Sequence, residues 1–385
     1  MRVMISCGEP SGDLYAGELV REIRAREPSA QIVGFGGDHL RAAGAELLGE
    51  LSGLSVTGLL EVARILPRTY RLYRRLVSSA RTERPDVFVA VDFPDFNFIL
   101  ARALRELHVP IVYYISPQLW AWRPRRMETM RRIADLVLVI FPFEERIYRE
   151  AGVPVQWIGH PLLDVMPPTP PRAQLRSEFG VAAGEPLVAL LPGSRRNEVR
   201  AILPGLVSAA DIIRSRVPAT RLVLARAPHV TDQLLASLAR LAGPPATVVD
   251  GRADAVLEAA DVALVASGTV TVQAALHRCP MIVVYRLSPL TYRLGRPFVH
   301  VNTFAMANLV AGRTVVPELI QQDFVPERVA GEALKLLTNP SLAARMRTDL
   351  EAVRLQLGEP GASGRAADAV LLTARDASGR ARPLG

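Results

Sequence analysis

Short runs of β-branched and other apolar residues alternate with helical patterns along this 385-residue chain, and no other feature narrows its possible folds as much. The runs expected as strands are residues 2–7, 31–35, 86–91, 111–115, 136–141 and 155–158, then 187–191, 221–225, 247–249, 262–266 and 281–285. Each is apolar nearly throughout rather than at alternate positions, as in strands buried on both faces of a parallel sheet covered by helices. The series breaks at MPPTPPRAQ, residues 166–174, where five of nine residues are Pro or Arg. Proline-rich stretches make stiff connectors between domains. The expected fold class is therefore α/β, with two doubly wound Rossmann-like domains facing a cleft. Their expected bounds are 1–165 and 175–340, joined by the 166–174 linker. Two C-terminal helices over 341–374 are expected to pack back on the first domain, with a frayed tail at 375–385.

A chain of this length can bury two cores, and 49% hydrophobic with 22% charged residues is a globular balance, not a disordered one. The net charge of +8 points to an anionic partner. No nucleic-acid recognition module accompanies that charge, so nucleic acid is not expected. Cys7 and Cys279 lie far apart in apolar contexts, without metal-ligand or disulfide spacing, which fits a reducing compartment. The N-terminus reaches Glu9 after a short apolar stretch, unlike a signal peptide. No window approaches the roughly 18–20 uninterrupted apolar residues that span a bilayer. The expected location is cytoplasmic, with any membrane association peripheral.

Ligands of doubly wound sheets bind beyond the carboxyl ends of the strands, so the loops that follow strands hold the candidates. In the second half, LLPGSRRNE (190–198) offers Gly193 and Ser194 as donors and Arg195 as a fixed cation, a set able to hold a phosphate or diphosphate. In VASGTVTVQAAL (265–276), Ser267, Gly268 and Thr269 open a helix whose free N–H groups and dipole attract an anion. Gln273, one turn on, is placed to reach a ribose hydroxyl. Each turn taken alone also reads as an ordinary capped helix start. Asn308, Arg313 and Glu318 fall in a loop-rich stretch where polar side chains either position a ligand or are simply solvated.

In the first half, GEPSGD (8–13) is a glycine-bracketed turn between strand and helix, but it carries Glu9 and Asp13 and lacks the Lys of a phosphate-binding loop. VAVDFPDFN (89–97) sets Asp92 directly after a strand, with Asp95 and Asn97 in the turn. Asp92 can take a proton from an attacking hydroxyl, while Asp95 equally suits the start of the next helix. The D-x-x-D spacing lacks a neighbouring His or third carboxylate, so no metal is expected. Trp120 and Trp122 are followed by several arginines, and residues 64–84 combine helically spaced apolar side chains with seven arginines. Such basic amphipathic stretches lie on anionic membranes, or are core-facing helices with a solvated face. His160, at a strand end, reads as a structural histidine or a cleft residue.

Taken in order, these stretches resemble the lipid-A-disaccharide synthase family. The residues that carry the resemblance are Gly8–Asp13, Asp92–Asn97, Ser116–Trp122, Pro142–Glu144, Gly159–Pro161, Leu191–Arg195 and Ser267–Thr269, spread from residue 1 to about residue 320. That family is similar in fold to the two-domain GT-B glycosyltransferases. The resemblance implies transfer of 2,3-diacylglucosamine from its UDP derivative to 2,3-diacylglucosamine 1-phosphate. The products are the β-1,6-linked disaccharide 1-phosphate and UDP, with inversion, at the cytoplasmic face of the inner membrane, and no cofactor or metal is implied. On this reading Asp92 is the base and Arg195 supports the leaving diphosphate. Glu9, Ser11, Asp13, Asp95, Asn97, Gln118, Trp120 and Trp122 meet the acceptor. Gly193, Ser194, Arg195, Ser267, Gly268, Thr269, Gln273 and Asn308 hold the UDP donor. Two positions depart from the family pattern: Gln273 stands where Glu is usual, and Ala307 precedes Asn308 where Pro is usual. Both bear on donor affinity more than on reaction type. The alternatives are a nucleotide-sugar epimerase of the same architecture and a non-catalytic nucleotide-sugar or lipid-binding protein. Oligomeric state is not legible in the sequence.

Overall fold

The computed structural model describes residues 1–50, 59–119, 126–228, 230–238, 246–287 and 303–380. The chain divides into two compact units. One comprises Met1–Val165 with Leu357–Gly385, and the other Met166–Gln356.

The first unit is built on β1 (Arg2–Cys7), β2 (Gln31–Gly36), β3 (Glu46–Glu50), β4 (Val87–Val91), β5 (Ile111–Tyr114), β6 (Leu136–Val139) and β7 (Val155–Trp157). All pair in parallel, in the order β3-β2-β1-β4-β5-β6-β7. The second unit carries β8 (Leu187–Leu191), β9 (Arg221–Arg226), β10 (Thr247–Asp250), β11 (Val262–Ala266), β12 (Met281–Tyr285) and β13 (Glu318–Ile320). Their order is β10-β9-β8-β11-β12-β13, again parallel throughout. In both sheets the winding reverses after three strands, at β3 and at β10, so a switch point lies between β1 and β4 and another between β8 and β11. Crevices open at such points beyond the carboxyl ends of the strands.

Burial explains the runs of apolar residues. Every residue of β4, β5, β8 and β11 is buried, as strands sandwiched between helical layers require. In the first unit Met4, Phe35, Phe88 and Tyr113 of the sheet meet Leu72, Leu76 and Ala80 of the helix Leu59–Thr82 and Leu100 and Leu104 of the helix Pro94–Glu106. Each large side chain so buried contributes roughly 1.5–3 kcal/mol.

Four expectations need correction. Two strands, β3 and β13, were not anticipated: both are sheet edges, and neither presents a fully buried run. The 166–174 linker is shorter than its prolines imply, because the helix Arg172–Glu178 begins within it. Arg172 Nη2 lies 2.6 Å from Asp261 Oδ1, and Arg172 Nη1 donates to the carbonyls of Glu258 and Ala260, fastening this helix to the second unit. Of the two C-terminal helices, Pro340–Gln356 stays with the second unit, where Ala343, Met346, Leu350 and Val353 are buried. Only Ala362–Arg380 joins the first unit, packing on the helix Pro10–Arg26. Asp164 receives the backbone N–H groups of Gly361 and Ser363 at 2.6 and 2.7 Å, capping that last helix. The same helix runs on to Arg380, so the expected tail from 375 is helical over its first half.

Candidate functional site

GEPSGD and DFPDFN follow β1 and β4, the two strands at the first unit's switch point. Gly8 is required by close approach: a Cβ there would lie 2.1 Å from Cγ of Phe93. The Phe93 ring occupies that space and packs toward Phe35 and Phe96, with ring centroids 6.3 and 5.6 Å away. The first turn of the chain thus accommodates an aromatic ring delivered by the β4 loop.

That ring arrives on unusual backbone. Asp92 and Phe93 have φ of +46° and +47°, and Ile115, just beyond β5, has +59°. Non-glycine residues in the left-handed region cost about 1–3 kcal/mol each and persist only where their surroundings over-determine them. Here the Asp92 carbonyl accepts the Tyr113 hydroxyl at 2.8 Å and Asn97 Nδ2 at 2.8 Å. Asn97 Nδ2 also lies 3.2 and 3.3 Å from the carbonyls of Ser6 and Val91 at the ends of the adjacent strands. Tyr113 is fully buried, and burial, with the nearby Asp92 charge, raises its pKa well above the ordinary phenol value, so it remains a donor. Asp92 is therefore fixed at the carboxyl end of a central strand by two buried side chains.

Several expected acceptor contacts take other positions. Asp13 is buried, and its carboxylate receives N–H groups from Gly37 at 2.6 Å, His39 at 2.9 Å and Leu40 at 3.2 Å. It holds the turn after β2 and caps the short helix Asp38–Ala42. Asn97 braces Asp92 rather than facing outward. Asp95 does not cap its helix, since Phe93 occupies the N-cap position; it is exposed and pairs with Arg126 at 2.6 Å. The Arg126 guanidinium lies 5.6 Å from the Phe98 ring centroid. Glu9, Ser11 and Gln118 are partly buried at the expected loops. Trp120 and Trp122 lie outside the described residues. Upstream of them, Tyr148 anchors the loop by bonding both the Ser116 hydroxyl and the Pro117 carbonyl.

His160 is no cleft residue. It is buried between Tyr15 and Phe141, and Nδ1 accepts the Leu162 N–H at 3.1 Å. Burial pushes its pKa down to about 3 against the pull of Asp164, leaving a neutral packing group.

In the second unit PGSR and SGT follow β8 and β11, again the two strands at the switch point. Gly193 has φ +109°, and a Cβ there would meet Glu198 Oε2 at 2.8 Å. Glu198 accepts the Arg195 backbone N–H at 3.3 Å and faces the Arg195 guanidinium at 3.1 Å, fixing the cation at the start of the helix Arg196–Arg216. Ser194, Gly268 and Thr269 are exposed. Ser267 donates to the Phe304 carbonyl at 3.3 Å, tying the SGT turn to the loop that follows. Gln273 is partly buried and donates to Asp254. Asn308, expected to touch the donor, is buried and fully engaged. Its Oδ1 accepts from Val315 and Val316 at 2.7 and 2.9 Å, and its Nδ2 donates to Val316 O and Glu318 Oε1 at 2.9 and 2.7 Å. Glu318 also accepts the Phe304 N–H at 2.8 Å, so the pair shapes the 304–318 segment from within.

Among the described residues no group of three His, Cys, Asp or Glu side chains is placed to hold a metal ion. No helix among them is long and apolar enough to cross a membrane. On the helix Leu59–Thr82, Leu66 and Tyr70 are 62% and 58% exposed, and Arg68, Arg71 and Arg74 are exposed around them. Sequence reasoning missed Tyr113, Asp254 and His277, and marked Arg126 only as one of the arginines that follow the Trp loop. Of those missed, only Asp254 and His277 left a signal: Asp254 and Glu258, like Gln273 and His277, are spaced four apart.

A family model described as lipid-A-disaccharide synthetase matches residues 3–372. The lipid-A-disaccharide synthase of Myxococcus xanthus is 41% identical over 370 residues, covering 96% of this chain and 97% of the relative. That of Geobacter sulfurreducens is 40% identical over 373 residues, covering 96% of each. Among solved structures, the UDP-GlcNAc 2-epimerase of Neisseria meningitidis bound to UDP-GlcNAc superposes with a TM-score of 0.68 at 12% identity, over 97% of this chain and all of that one. The calicheamicin glycosyltransferase superposes with a TM-score of 0.61 at 16% identity, over 99% of each. These structural likenesses extend to the fold, which both glycosyltransferases and epimerases use.

Proposed function

This chain belongs to the lipid-A-disaccharide synthase family, and on that premise we propose how its own residues divide the sugar transfer. The donor is UDP-2,3-diacylglucosamine and the acceptor 2,3-diacylglucosamine 1-phosphate. Asp92 takes the proton of the acceptor 6-hydroxyl as its oxygen bonds to the anomeric carbon. The bond from that carbon to the diphosphate breaks in the same displacement, and UDP leaves with the electron pair, which inverts the configuration. Such a step needs nucleophile, carbon and leaving oxygen in line.

The observation that carries this reading is the Asp92 turn. A left-handed aspartate with its carbonyl pinned by Tyr113 and Asn97 is costly to hold, and such strain collects where a side chain must be aimed. Glu9 and Ser11 on the neighbouring β1 loop suit acceptor sugar hydroxyls, and Gln118 joins them. Asp13 and Asn97 serve the acceptor indirectly, as braces. Asp95 steers Arg126, whose guanidinium suits the acceptor 1-phosphate. In the second unit the Gly193–Ser194 turn and the Ser267–Thr269 helix start supply N–H groups for the UDP diphosphate, and Arg195 stabilises the charge that develops on it. Asn308 maintains the loop beside Ser267 rather than touching the nucleotide. Leu66, Tyr70 and their arginines support a peripheral seat on the anionic cytoplasmic face of the inner membrane, where both lipid substrates reside.

Asp92→Asn tests the assignment. It is expected to bind UDP as the wild type does and to lose turnover by about 100-fold or more, read as UDP release that depends on the acylated acceptor. Turnover within a few-fold of wild type would remove Asp92 as the base.

A further inference from the structure

Gln273 lies on the helix Thr269–Leu276 and His277 is its C-cap; Asp254 and Glu258 lie on the helix Ala253–Ala259. The two pairs interlock. Gln273 Nε2 is 3.3 and 3.4 Å from the two Asp254 oxygens, His277 Nε2 is 3.1 Å from Asp254 Oδ1, and His277 Nδ1 is 3.0 Å from Glu258 Oε2. A ring with a carboxylate oxygen at each nitrogen satisfies both only when both nitrogens carry protons. Burial opposes that charge, but the hydrogen bonds to Asp254 and Glu258 outweigh it and raise the His277 pKa. Asp254 is thereby held from one side by a buried cation and offers its remaining lone pairs to Gln273.

The consequence falls on Gln273. Its amide has a donor end and an acceptor end, and a carboxylate can take only the donor. With Nε2 committed to Asp254, Oε1 is the atom left for a ligand. We propose that Asp254, clamped by His277, is a positioning residue for the nucleotide, holding the Gln273 amide so that Oε1 accepts a hydrogen bond from a ribose hydroxyl. The inference rests on the reading of Gln273 as the ribose contact. It also gives a reason for Gln at this position: a glutamate at 273 would face Asp254 carboxylate to carboxylate.

Calorimetric titration of the full chain with UDP and with 2′,3′-dideoxy-UDP separates the possibilities. Wild type is expected to prefer UDP by about tenfold, and Gln273→Ala to abolish the preference. Asp254→Asn, whose amide lets Gln273 turn over, is expected to lower it to about twofold. If Gln273→Ala loses the preference while Asp254→Asn keeps it, the positioning role is overturned and the ribose contact stands. If Gln273→Ala keeps it, the ribose contact itself fails, and the inference with it. A second arm does not depend on the stability of Asp254→Asn alone. Gln273→Glu is expected to weaken UDP binding about tenfold, and adding Asp254→Asn to restore most of it. Wild-type affinity in Gln273→Glu would overturn the proposal.

Discussion

At Asp92, the proposed base, two neighbouring side chains fix the backbone. Its carbonyl is held by two donors that differ in kind: Asn97 comes from the helix the turn begins, and Tyr113 from the neighbouring strand. Tyr113→Phe removes one and keeps the ring. Loss of a buried hydrogen bond of about 1 kcal/mol is expected to lower kcat about five- to tenfold through relaxation of the turn, with UDP affinity unchanged. An unaltered kcat would show that Asn97 alone suffices. The aspartates and asparagines also show where sequence reading stops. Polarity and loop position mark Asp13, Asn97 and Asn308 as candidates for ligand contact, yet all three are buried and bonded largely to backbone. A loop that must hold a ligand needs such braces, and brace and contact use the same residue types. Gly8, by contrast, was legible as a turn but not as the receptor for Phe93, because that contact joins residues far apart in sequence.

At the scale of elements, Asp13 makes one helix depend on another. Its carboxylate, carried by the helix Pro10–Arg26, caps the helix Asp38–Ala42 through three backbone N–H groups. Asp13→Ala leaves them without that acceptor and is expected to cost about 3 kcal/mol of the first unit's stability, read as a lower urea midpoint, with UDP binding by the second unit preserved. The helix Leu59–Thr82 invites a different test. Leu66 and Tyr70 project among arginines, so Leu66→Glu with Tyr70→Glu is expected to reduce sedimentation with anionic vesicles at least several-fold. Unchanged sedimentation would dismiss this helix as the membrane contact. Strands buried on both faces were legible because their sequences are apolar throughout. Two edge strands were not: β3 contains Gly49 and glutamates at both ends, and β13 is three residues long. Pairing on one side only, they need no continuous apolar run.

For the whole molecule, His160 and His277 make the units answer pH in opposite senses. His160 has a folded pKa near 3 against the ordinary 6.5, so the unfolded chain takes up the proton first and stability falls as pH drops below 6.5. Between about pH 7.5 and pH 5.5 the first unit is expected to lose about 1.4 kcal/mol on this account. His277 has a raised folded pKa, so its contribution is fully present below 6.5 and is lost as pH climbs through the folded value. Hydrogen exchange followed separately in each unit is expected to show acid weakening the first and strengthening the second. In His277→Gln the second unit's response is expected to disappear; its persistence would assign the effect elsewhere.

Because the last helix returns to the first unit, residues 166–356 form an insertion within that unit rather than a domain appended to it. During synthesis the second unit has its whole sequence available before Leu357 emerges, whereas its companion still lacks the helix that covers Pro10–Arg26. A nascent chain stalled once Gln356 has cleared the ribosome is therefore expected to carry a finished second unit and a protease-sensitive first one, so the first unit is the last to mature.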